Sequence, residues 1–388
     1  MDADDRDARS SEEQMSTEED TRTIDRDTLR AWLDAHKPVT VLDIRTDDDY
    51  AQWAIPGSVH INAYEALRNG QPGALADAHL PPDRPVVTIC NAGRVSQTAA
   101  ALLAERGFDA RSLAGGMKAW SLAWNTAQVL VVDPTVEIVQ VRRTGKGCLS
   151  YIISSEGDAA VIDPSVSVEV YLALAREKDW SIRCVLETHV HADHLSRARE
   201  LAQRAGATLL LPQQDRVSFA FRPVADGDLV SIGKASLTAL HTPGHTNESM
   251  CFLLNDSALF TGDTLFTNGV GRPDLHASDI DAARRRAVAL YVSLERVRRL
   301  SPKLLVLPAH TSEPVAFDGR PVTASMADVG TWLKSWLESQ SSFVSRVTSN
   351  LPETPPNFKR IVALNEAGQF PTDDSTDLEA GANRCAVR

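Results

Sequence analysis

The stretch ETHVHADHLS, residues 187–196, places three histidines and an aspartate in one short segment after an apolar strand: His189, His191, Asp193 and His194. Imidazole nitrogens and carboxylate oxygens are common ligands of zinc and iron. His189 and His191 are separated by one residue, so in an extended segment both side chains point to the same side. The stretch therefore predicts a site for one metal ion or a pair of ions, and it leaves the metal open.

Three more candidate ligands follow apolar strands later in the chain, in the segments HTPGHT, FTGDTLF and LVLPAHT: His245, Asp263 and His310. A lone histidine is more often structural than a metal ligand. Seven candidates that all stand at strand ends are poorly explained by chance. We therefore expect them to converge on one edge of the sheets.

A cysteine stands in a similar setting upstream. The strand PVVTIC carries Cys90 to its carboxyl end, the loop NAGRV follows, and Ser96 is expected to cap the helix SQTAAALLAE. Loop N–H groups and a helix N-terminus would stabilise a thiolate or a bound anion. The pattern predicts a sulfur nucleophile, with a buried core cysteine as the alternative.

Two kinds of domain must position these residues. From residue 22 to 127 short strands alternate with helices, which predicts a parallel α/β domain with helices on both faces. From residue 128 to 370 successive strands read as antiparallel, and a strand-turn-strand block recurs after two helices. This recurrence predicts two packed sheets with helices outside, followed by a C-terminal helical extension.

Composition limits the partners and the location. Residues 1–21 form an acidic leader without an apolar core, and residues 371–388 read as a loose end, so both are predicted to be disordered. A formal net charge of −12 argues against nucleic acid and anionic membrane as partners, and no apolar run could span a bilayer. Five dispersed cysteines favour reduced thiols and a cytoplasmic location. The sequence is compatible with a homo-oligomer and does not decide between oligomer and monomer.

The first domain resembles a rhodanese. LDIR, IPGSVHIN, the Cys90 loop and LAGGMKAW occur in that family's order, and the loop from Cys90 to Val95 has the length typical of sulfur-handling members. The resemblance implies a persulfide carried by Cys90. The family often has arginine at the last loop position, where this chain has Val95, with Arg94 one place earlier as the candidate substrate-binding residue.

The set HVHADH, GHT, TGD and PAH resembles the metallo-β-lactamase fold across residues 135–312. Thiolesterases of the glyoxalase II type keep all seven positions and bind two metals with a bridging hydroxide. Persulfide dioxygenases bind one iron, through residues that match His189, His245 and Asp263 here. The remaining candidates would hold ligands and waters by hydrogen bonds, or bind a second metal: His191, Asp193, His194 and His310.

Two segments favour the dioxygenase branch. GVGRPDL resembles that branch's GxGRxD segment, which implies that Arg272 contacts the glutathione moiety. A loop-stabilising salt bridge is the alternative role of Arg272. NLPETPPNFKRIVALNEAG resembles the branch's tail, whereas Asn247, Glu248 and Val270 depart from its pattern.

The resemblances imply a persulfide dioxygenase with an N-terminal rhodanese domain. It would oxidise glutathione persulfide with O₂ to sulfite and glutathione at one Fe(II), and Cys90 would exchange sulfane sulfur with thiosulfate or sulfite. One alternative is a dizinc thiolesterase with a regulatory rhodanese module. Another is a non-catalytic sulfur carrier or sensor with a structural metal.

Overall fold

The computed structural model describes residues 22–71, 73–275, 277–370 and 376–388, so the acidic leader lies outside the described residues. The chain forms two compact units. One extends to Ala123 and includes Ala316–Asp318, and the other comprises Trp124–Val315 and Gly319–Arg388. The break falls a few residues before the predicted boundary at 127, because Asn125–Val129 already forms a strand of the second unit's sheet.

The first unit contains a five-stranded parallel sheet among the described residues, in the order β1-β5-β4-β2-β3. Its strands are β1 (Thr23–Ile24), β2 (Thr40–Asp43), β3 (Val59–His60), β4 (Val86–Ile89) and β5 (Ala110–Leu113). Its helices are α1 (Arg26–Asp34), α2 (Asp47–Gln52), α3 (Tyr64–Arg68), α4 (Val95–Glu105) and α5 (Gly116–Trp120). Every residue of β2 and β4 is buried, as in a parallel sheet covered on both faces.

The second unit begins with a seven-stranded mixed sheet, in the order β12-β11-β10-β9-β8-β7-β6. Its strands are β6 (Asn125–Val129), β7 (Val136–Arg142), β8 (Leu149–Ser155), β9 (Asp158–Ile162), β10 (Ser181–Leu186), β11 (Thr208–Pro212) and β12 (Arg222–Val224). The run from β6 to β9 is antiparallel, as the sequence predicts. β9 to β12 pair in parallel, with helices α6 (Val168–Glu177) and α7 (Ala198–Ala205) in the connections.

A second sheet of the same unit has six strands in the order β13-β14-β15-β16-β18-β19. They are β13 (Leu229–Ile232), β14 (Ala235–His241), β15 (Met250–Leu254), β16 (Ala258–Gly262), β18 (Leu305–Pro308) and β19 (Ala324–Ser325). β17 (Val270–Gly271) lies outside this sheet. The remaining helices are α8 (Ile280–Val297), α9 (Met326–Trp336), α10 (Gln340–Ser349), α11 (Phe358–Ala367) and α12 (Thr376–Glu379).

The two sheets pack face to face. Residues such as Ile153 and Leu186 of the first sheet share one buried cluster with Phe252 and Phe260 of the second. Helices α6 and α7 cover the outer face of the first sheet, and α8, α9 and α10 cover that of the second. The expected sandwich of two sheets between helices is confirmed. Apolar residues on both faces of each sheet explain this four-layer arrangement.

The prediction of a disordered tail at 371–388 is wrong for its described part. Residues 371–375 lie outside the described residues. The segment Thr376–Arg388, here called the C-terminal strap, is ordered, and its strand β20 (Ala386–Val387) pairs antiparallel with β17. Glu379 and Cys385 are buried. Polar composition misled the prediction, because this segment is ordered by distant partners and not by an apolar pattern of its own. None of the described helices combines the length and the apolar character needed to cross a bilayer.

Candidate functional site

Three of the predicted ligands come together at one edge of the sandwich. His189 follows β10, His245 follows β14, and Asp263 follows β16 directly. One ligand atom from each side chain lies within 4.8 Å of the others, and all three residues are buried. The strand ends thus bring together residues that are far apart in the sequence.

The distances within this trio suit one metal ion. Asp263 Oδ2 lies 3.8 Å from His189 Nε2 and 3.5 Å from His245 Nε2. Ligand atoms about 2.1 Å from a shared ion and at right angles lie about 3 Å apart, so small shifts would complete the site. None of the three buried atoms has a hydrogen-bond partner among the described residues. Buried polar atoms are rarely left so, which indicates a group that binds between them.

Hydrogen bonds fix both imidazoles in the tautomer that a metal needs. His245 Nδ1 lies 2.8 Å from the carbonyl oxygen of Arg272, so Nδ1 must carry the proton and donate. His189 Nδ1 lies 2.9 Å from the Thr188 hydroxyl, which itself donates to Asp163 at 2.8 Å. Each Nε2 therefore keeps its lone pair for a ligand bond.

The pKa shifts of the three side chains also favour metal binding. Burial lowers the pKa of His189 and of His245, so both rings are neutral, as metal ligands must be. Burial alone would raise the pKa of Asp263, but the adjacent His310 outweighs it and the pKa is lowered. The trio therefore offers two neutral nitrogens and one carboxylate.

Gly271, in the segment GVGRPDL, makes room for the trio. A Cβ atom there would overlap the carbonyl oxygen of Asp263 and lie 2.9 Å from Cβ of His245. Only glycine lets the β17 backbone approach these two residues so closely. The segment thus supports the metal ligands from behind.

A second group of potential ligands lies beside the trio, with ligand atoms within 4.8 Å of one another: Cys148, Asp193, His194 and His310. Its members already bond to one another. Asp193 Oδ1 lies 3.0 Å from His194 Nδ1, and Asp193 Oδ2 lies 2.7 Å from His310 Nε2. His310 Nδ1 in turn lies 2.5 Å from Asp263 Oδ1. This group connects to the trio through His310.

The pKa values of this second group differ from those of the trio. Burial would lower the pKa of His310, but Asp193 and Asp263 outweigh it and raise the pKa well above its ordinary value. Both ring nitrogens of His310 face carboxylate oxygens, Nδ1 that of Asp263 and Nε2 that of Asp193. Burial and Asp193 would raise the pKa of the Cys148 thiol, but the neighbouring imidazoles lower it to about 7.

His191 contacts carboxylates outside the trio through Nε2, and its Nδ1 is buried without a hydrogen-bond partner among the described residues. Its Nε2 lies 2.7 Å from Glu187 Oε2 and 3.2 Å from Asp163 Oδ1. Burial opposes the charged form, but these carboxylates raise the pKa of His191 well above its ordinary value. The sequence did not single out Asp163, Glu187 or Cys148, although Asp163 follows a strand and Glu187 stands in the opening stretch.

Arg272, predicted to contact a glutathione moiety, is only 1% exposed. Its guanidinium donates two hydrogen bonds to Asp274, both 2.8 Å, and one each to the carbonyl oxygens of Glu353 and Arg384, both 3.1 Å. In this conformation the guanidinium is buried and holds the loop. The contacts therefore correspond to the alternative role, a structural ion pair.

In the first unit the Cys90 thiol is surrounded by donors. The backbone N–H groups of Gly93 and Ser96 point at Sγ from 3.1 and 3.4 Å. A Cβ atom on Gly116, whose φ is +56°, would overlap the carbonyl oxygen of Cys90, so glycine is needed where α5 begins against the loop. The loop can therefore stabilise negative charge on the sulfur.

The predicted helix cap at Ser96 is wrong. Helix α4 begins at Val95, with Arg94 at its N-cap position and no side-chain cap bond. Ser96 Oγ instead lies 3.3 Å from Cys90 Sγ and 2.8 Å from Ser112 Oγ. The hydroxyl thus takes part in the sulfur site. Arg94, the predicted substrate-binding residue of this loop, is exposed.

Two family descriptions match the chain. "Rhodanese-like domain" matches residues 25–123, and "Metallo-beta-lactamase superfamily" matches residues 143–310. The first match ends where the structure places the break between the two units. The second covers the trio and the group beside it.

Curated relatives match the second unit. A hydroxyacylglutathione hydrolase of Francisella philomiragia is 33% identical over 164 residues, 41% of this chain and 61% of the relative. A probable metallo-hydrolase of Burkholderia pseudomallei is 30% identical over 208 residues, 43% of this chain and 69% of the relative. The chain spans about three fifths of the length of the hydroxyacylglutathione hydrolase.

Two solved structures are similar over 63% of this chain. A crystal structure of a metallo-beta-lactamase from Staphylococcus aureus has a TM-score of 0.55, 26% identity and 74% of its own chain covered. The crystal structure of ETHE1 from Myxococcus xanthus has a TM-score of 0.50, 29% identity and 100% of its own chain covered.

The sandwich, its ligand-bearing strand ends and these matches define a metallo-β-lactamase-fold protein with candidate metal-ligand groups. The chain belongs to the metallo-beta-lactamase superfamily and carries a rhodanese-like domain in front of that fold.

Proposed function

We propose that this chain is a persulfide dioxygenase that oxidises glutathione persulfide with O₂ at a single iron bound by His189, His245 and Asp263. The observation that carries the proposal is the trio of buried, unpartnered ligand atoms, two imidazole nitrogens and one carboxylate oxygen. Two histidines and one carboxylate on one face are typical of Fe(II) sites that react with O₂. When bound, ferrous iron supplies the redox chemistry with O₂ that these side chains lack.

The residues of this chain would hold and shield the site. Thr188 and the carbonyl oxygen of Arg272 keep His189 and His245 in the ligand tautomer. His310 bonds to Asp263 Oδ1 and leaves Oδ2 free to bind. All three ligands are at most 2% exposed, which excludes bulk water from the site in this conformation.

The reaction balances with one persulfide, one O₂ and one water. The two oxygen atoms of O₂ and one from water enter sulfite, four electrons pass from the sulfane sulfur to O₂, and the thiol of glutathione is released. The sulfur–sulfur bond is the one that breaks.

The first domain supports a sulfur-based reaction. Cys90 is held among donors that would stabilise a thiolate or a persulfide anion. The Cys90 thiolate would attack the outer sulfur of thiosulfate and displace sulfite. Glutathione would then take up that sulfur as glutathione persulfide and release the Cys90 thiol; in the reverse direction, sulfite would accept the sulfur and form thiosulfate. The match to a relative named hydroxyacylglutathione hydrolase supports a glutathione-derived substrate.

A second candidate is a two-metal thiolesterase for glutathione thioesters. It is favoured by the same relative's name and by the ligand atoms of Cys148, Asp193, His194 and His310, which lie within 4.8 Å of one another. In that group Asp193 pairs with both imidazoles, and Nε2 of His194 is buried without a hydrogen-bond partner among the described residues.

Oxygen uptake tests the proposal. Protein loaded anaerobically with iron should consume O₂ when glutathione persulfide is added and release sulfite, with one iron per chain. Two zinc ions per chain and hydrolysis of a glutathione thioester, without oxygen uptake, would establish the thiolesterase instead.

Cys90→Ser tests the coupling between the domains. Uptake driven by thiosulfate and glutathione should disappear, because serine cannot carry the persulfide, while uptake with added glutathione persulfide serves as the reference. Persistent thiosulfate-driven uptake in this variant would exclude Cys90 as the carrier.

A further inference from the structure

Glu248, one of the residues that depart from the dioxygenase pattern, lies in the wall of a separate cleft. This cleft has about 910 Å³ of space, and none of the seven candidate metal ligands lines it. Its wall includes the polar side chains of Gln214 and Glu248 and the apolar side chains of Val224 and Met250. The cleft is therefore a possible binding site that the metal chemistry does not account for.

The carboxylate of Glu248 is held in one position. The residue is only 5% exposed, and its Oε1 accepts a hydrogen bond from the N–H of Val190 at 3.2 Å. The same oxygen pairs with Arg216 at 2.9 Å, and Arg216 also pairs with Glu366 at 2.6 Å. One guanidinium is thus shared by two carboxylates, so Glu248 is oriented while part of its negative charge remains unbalanced.

Three buried polar atoms in this wall have no hydrogen-bond partner among the described residues: Glu248 Oε2 and both amide atoms of Gln214, Oε1 and Nε2. Burial lowers the pKa of Arg286 and the charge of the nearby Glu248 opposes this, yet the two side chains form no ion pair, and Oε2 stays without a partner. Buried polar atoms are rarely left so. Three of them on one cleft indicate a ligand with complementary groups.

The chemistry of these atoms defines the ligand. A carboxylate oxygen only accepts hydrogen bonds, and a cationic donor such as an ammonium group forms the stronger bond with it. A glutamine amide has a donor and an acceptor, which together match a peptide group. Asp215 and Asp226, both exposed, also line the cleft and favour a cation over an anion. The complementary ligand is an amine that also carries a peptide bond.

We propose that the cleft binds a small peptide by its free amino group, with the ammonium on Glu248 Oε2 and the adjoining peptide group on Gln214. The identity of that peptide rests on the proposed function: in glutathione persulfide the amino group is that of the γ-glutamyl residue. Glu248 belongs to none of the potential metal-ligand groups, but the N–H that it accepts from is that of Val190, between His189 and His191. Glu248 would therefore select persulfides of γ-glutamyl peptides over those of simple thiols.

Binding of S-methylglutathione tests the site without turnover, because this ligand has no thiol to react or to bind metal. Calorimetric titration of the full-length protein should show saturable binding, and Glu248→Gln should weaken it by about tenfold or more through loss of a charge-assisted hydrogen bond. Glu366→Gln is the matched control, since Glu366 shares Arg216 but does not line the cleft, and should bind normally. Absence of binding by the wild type would overturn the proposal.

A second ligand shows whether Glu248 contacts the amino group. S-methylglutathione in which hydrogen replaces that amino group should bind the wild type about tenfold more weakly, and Glu248→Gln should weaken its binding no further. A variant with a damaged fold would instead lose both ligands alike. Equal weakening of both ligands by Glu248→Gln would therefore overturn the assignment.

Gln214→Leu tests the contact with the peptide group. Both ligands keep this group, so the variant should weaken the binding of both several-fold, because the side-chain amide is lost while an apolar side chain of similar size remains. Unchanged affinities would exclude Gln214 from the site.

Kinetics separate this inference from the proposed function. In the iron-loaded protein Glu248→Gln should raise the KM for glutathione persulfide by about tenfold with little change in kcat, because the amino group lies away from the reacting sulfur. Absence of oxygen uptake in wild type and variant would contradict the proposed function, and calorimetry would still decide the site. An unchanged KM in an active variant would overturn the role of Glu248 in substrate selection.

Discussion

Nδ1 of His310 lies 2.5 Å from Oδ1 of Asp263, while Oδ2 of the same carboxylate faces His189 and His245. The carboxylate therefore has two functions. Oδ1 accepts a hydrogen bond from His310, and Oδ2 has no hydrogen-bond partner among the described residues. Asp263 would therefore bind the metal through Oδ2, while His310 orients the carboxylate through Oδ1.

Replacing Asp263 should affect the metal more than replacing His310. Asp263→Ala removes a proposed ligand and should abolish tight iron binding, whereas His310→Ala removes an orienting hydrogen bond and should weaken binding by about 10–100-fold. Competition with a chelator measures both affinities. His241→Ala, an exposed histidine at the end of β14, is the control and should bind metal normally. Equal loss in the Asp263 and His310 variants would indicate a two-metal site.

Ser96→Ala should slow sulfur transfer at Cys90. The hydroxyl lies 3.3 Å from Sγ, and a hydrogen bond to a charged group contributes about 1.5–3 kcal/mol, so the second-order rate with thiosulfate should fall by about tenfold or more. Rapid-mixing measurement of persulfide formation gives this rate. Thr98→Ala, exposed on the same helix, should leave it unchanged. A wild-type rate in Ser96→Ala would show that the hydroxyl is only structural.

Arg272→Ala should destabilise the protein. Its guanidinium is buried and bonded to Asp274 and to two carbonyl oxygens, and removal of one partner of a buried pair costs about 3–5 kcal/mol. Denaturant unfolding measures the loss. Arg284→Ala breaks an exposed pair with Asp281 and should change the free energy of unfolding by about 0.5 kcal/mol or less. A loss as small as the control's would remove Arg272 from the structural role.

Acid should loosen the strap through Glu379. Burial alone would raise the pKa of this carboxyl, but Arg143 and Arg197 outweigh it, so the folded-state pKa lies below the ordinary 4.5. A depressed pKa stabilises the folded protein above pH 4.5, and that contribution is lost as the pH falls toward the folded-state value. The free energy of unfolding, measured from pH 7 to pH 3, should converge for wild type and Glu379→Gln at the acid end.

Glu338→Gln, an exposed change, is the control for that titration and should parallel the wild type throughout. A constant difference between wild type and Glu379→Gln across this pH range would show that the charge of Glu379 is not what stabilises the strap.

Local patterns in the sequence were enough to predict the two-domain fold. Alternating strands and helices predicted the parallel sheet of the first unit, and successive strands predicted the sandwich of the second, and both are confirmed. The same patterns put Cys90 and the seven candidate ligands at strand ends. This succeeded because apolar periodicity is a local property, and a strand end is visible wherever a polar residue follows an apolar run.

Tertiary structure alone decided which atoms meet. Cys148 and Cys385 lie beside candidate metal ligands, the Ser96 hydroxyl faces the sulfur of Cys90, and the Arg272 guanidinium bonds to the loop and the strap. These contacts join residues that are far apart in the chain or depend on one rotamer. Nothing in the composition of PTDDSTDLEAGANRCAVR marks its end as ordered. The strap is ordered because the backbone of β17 and the buried Arg143 provide partners that its own sequence cannot supply.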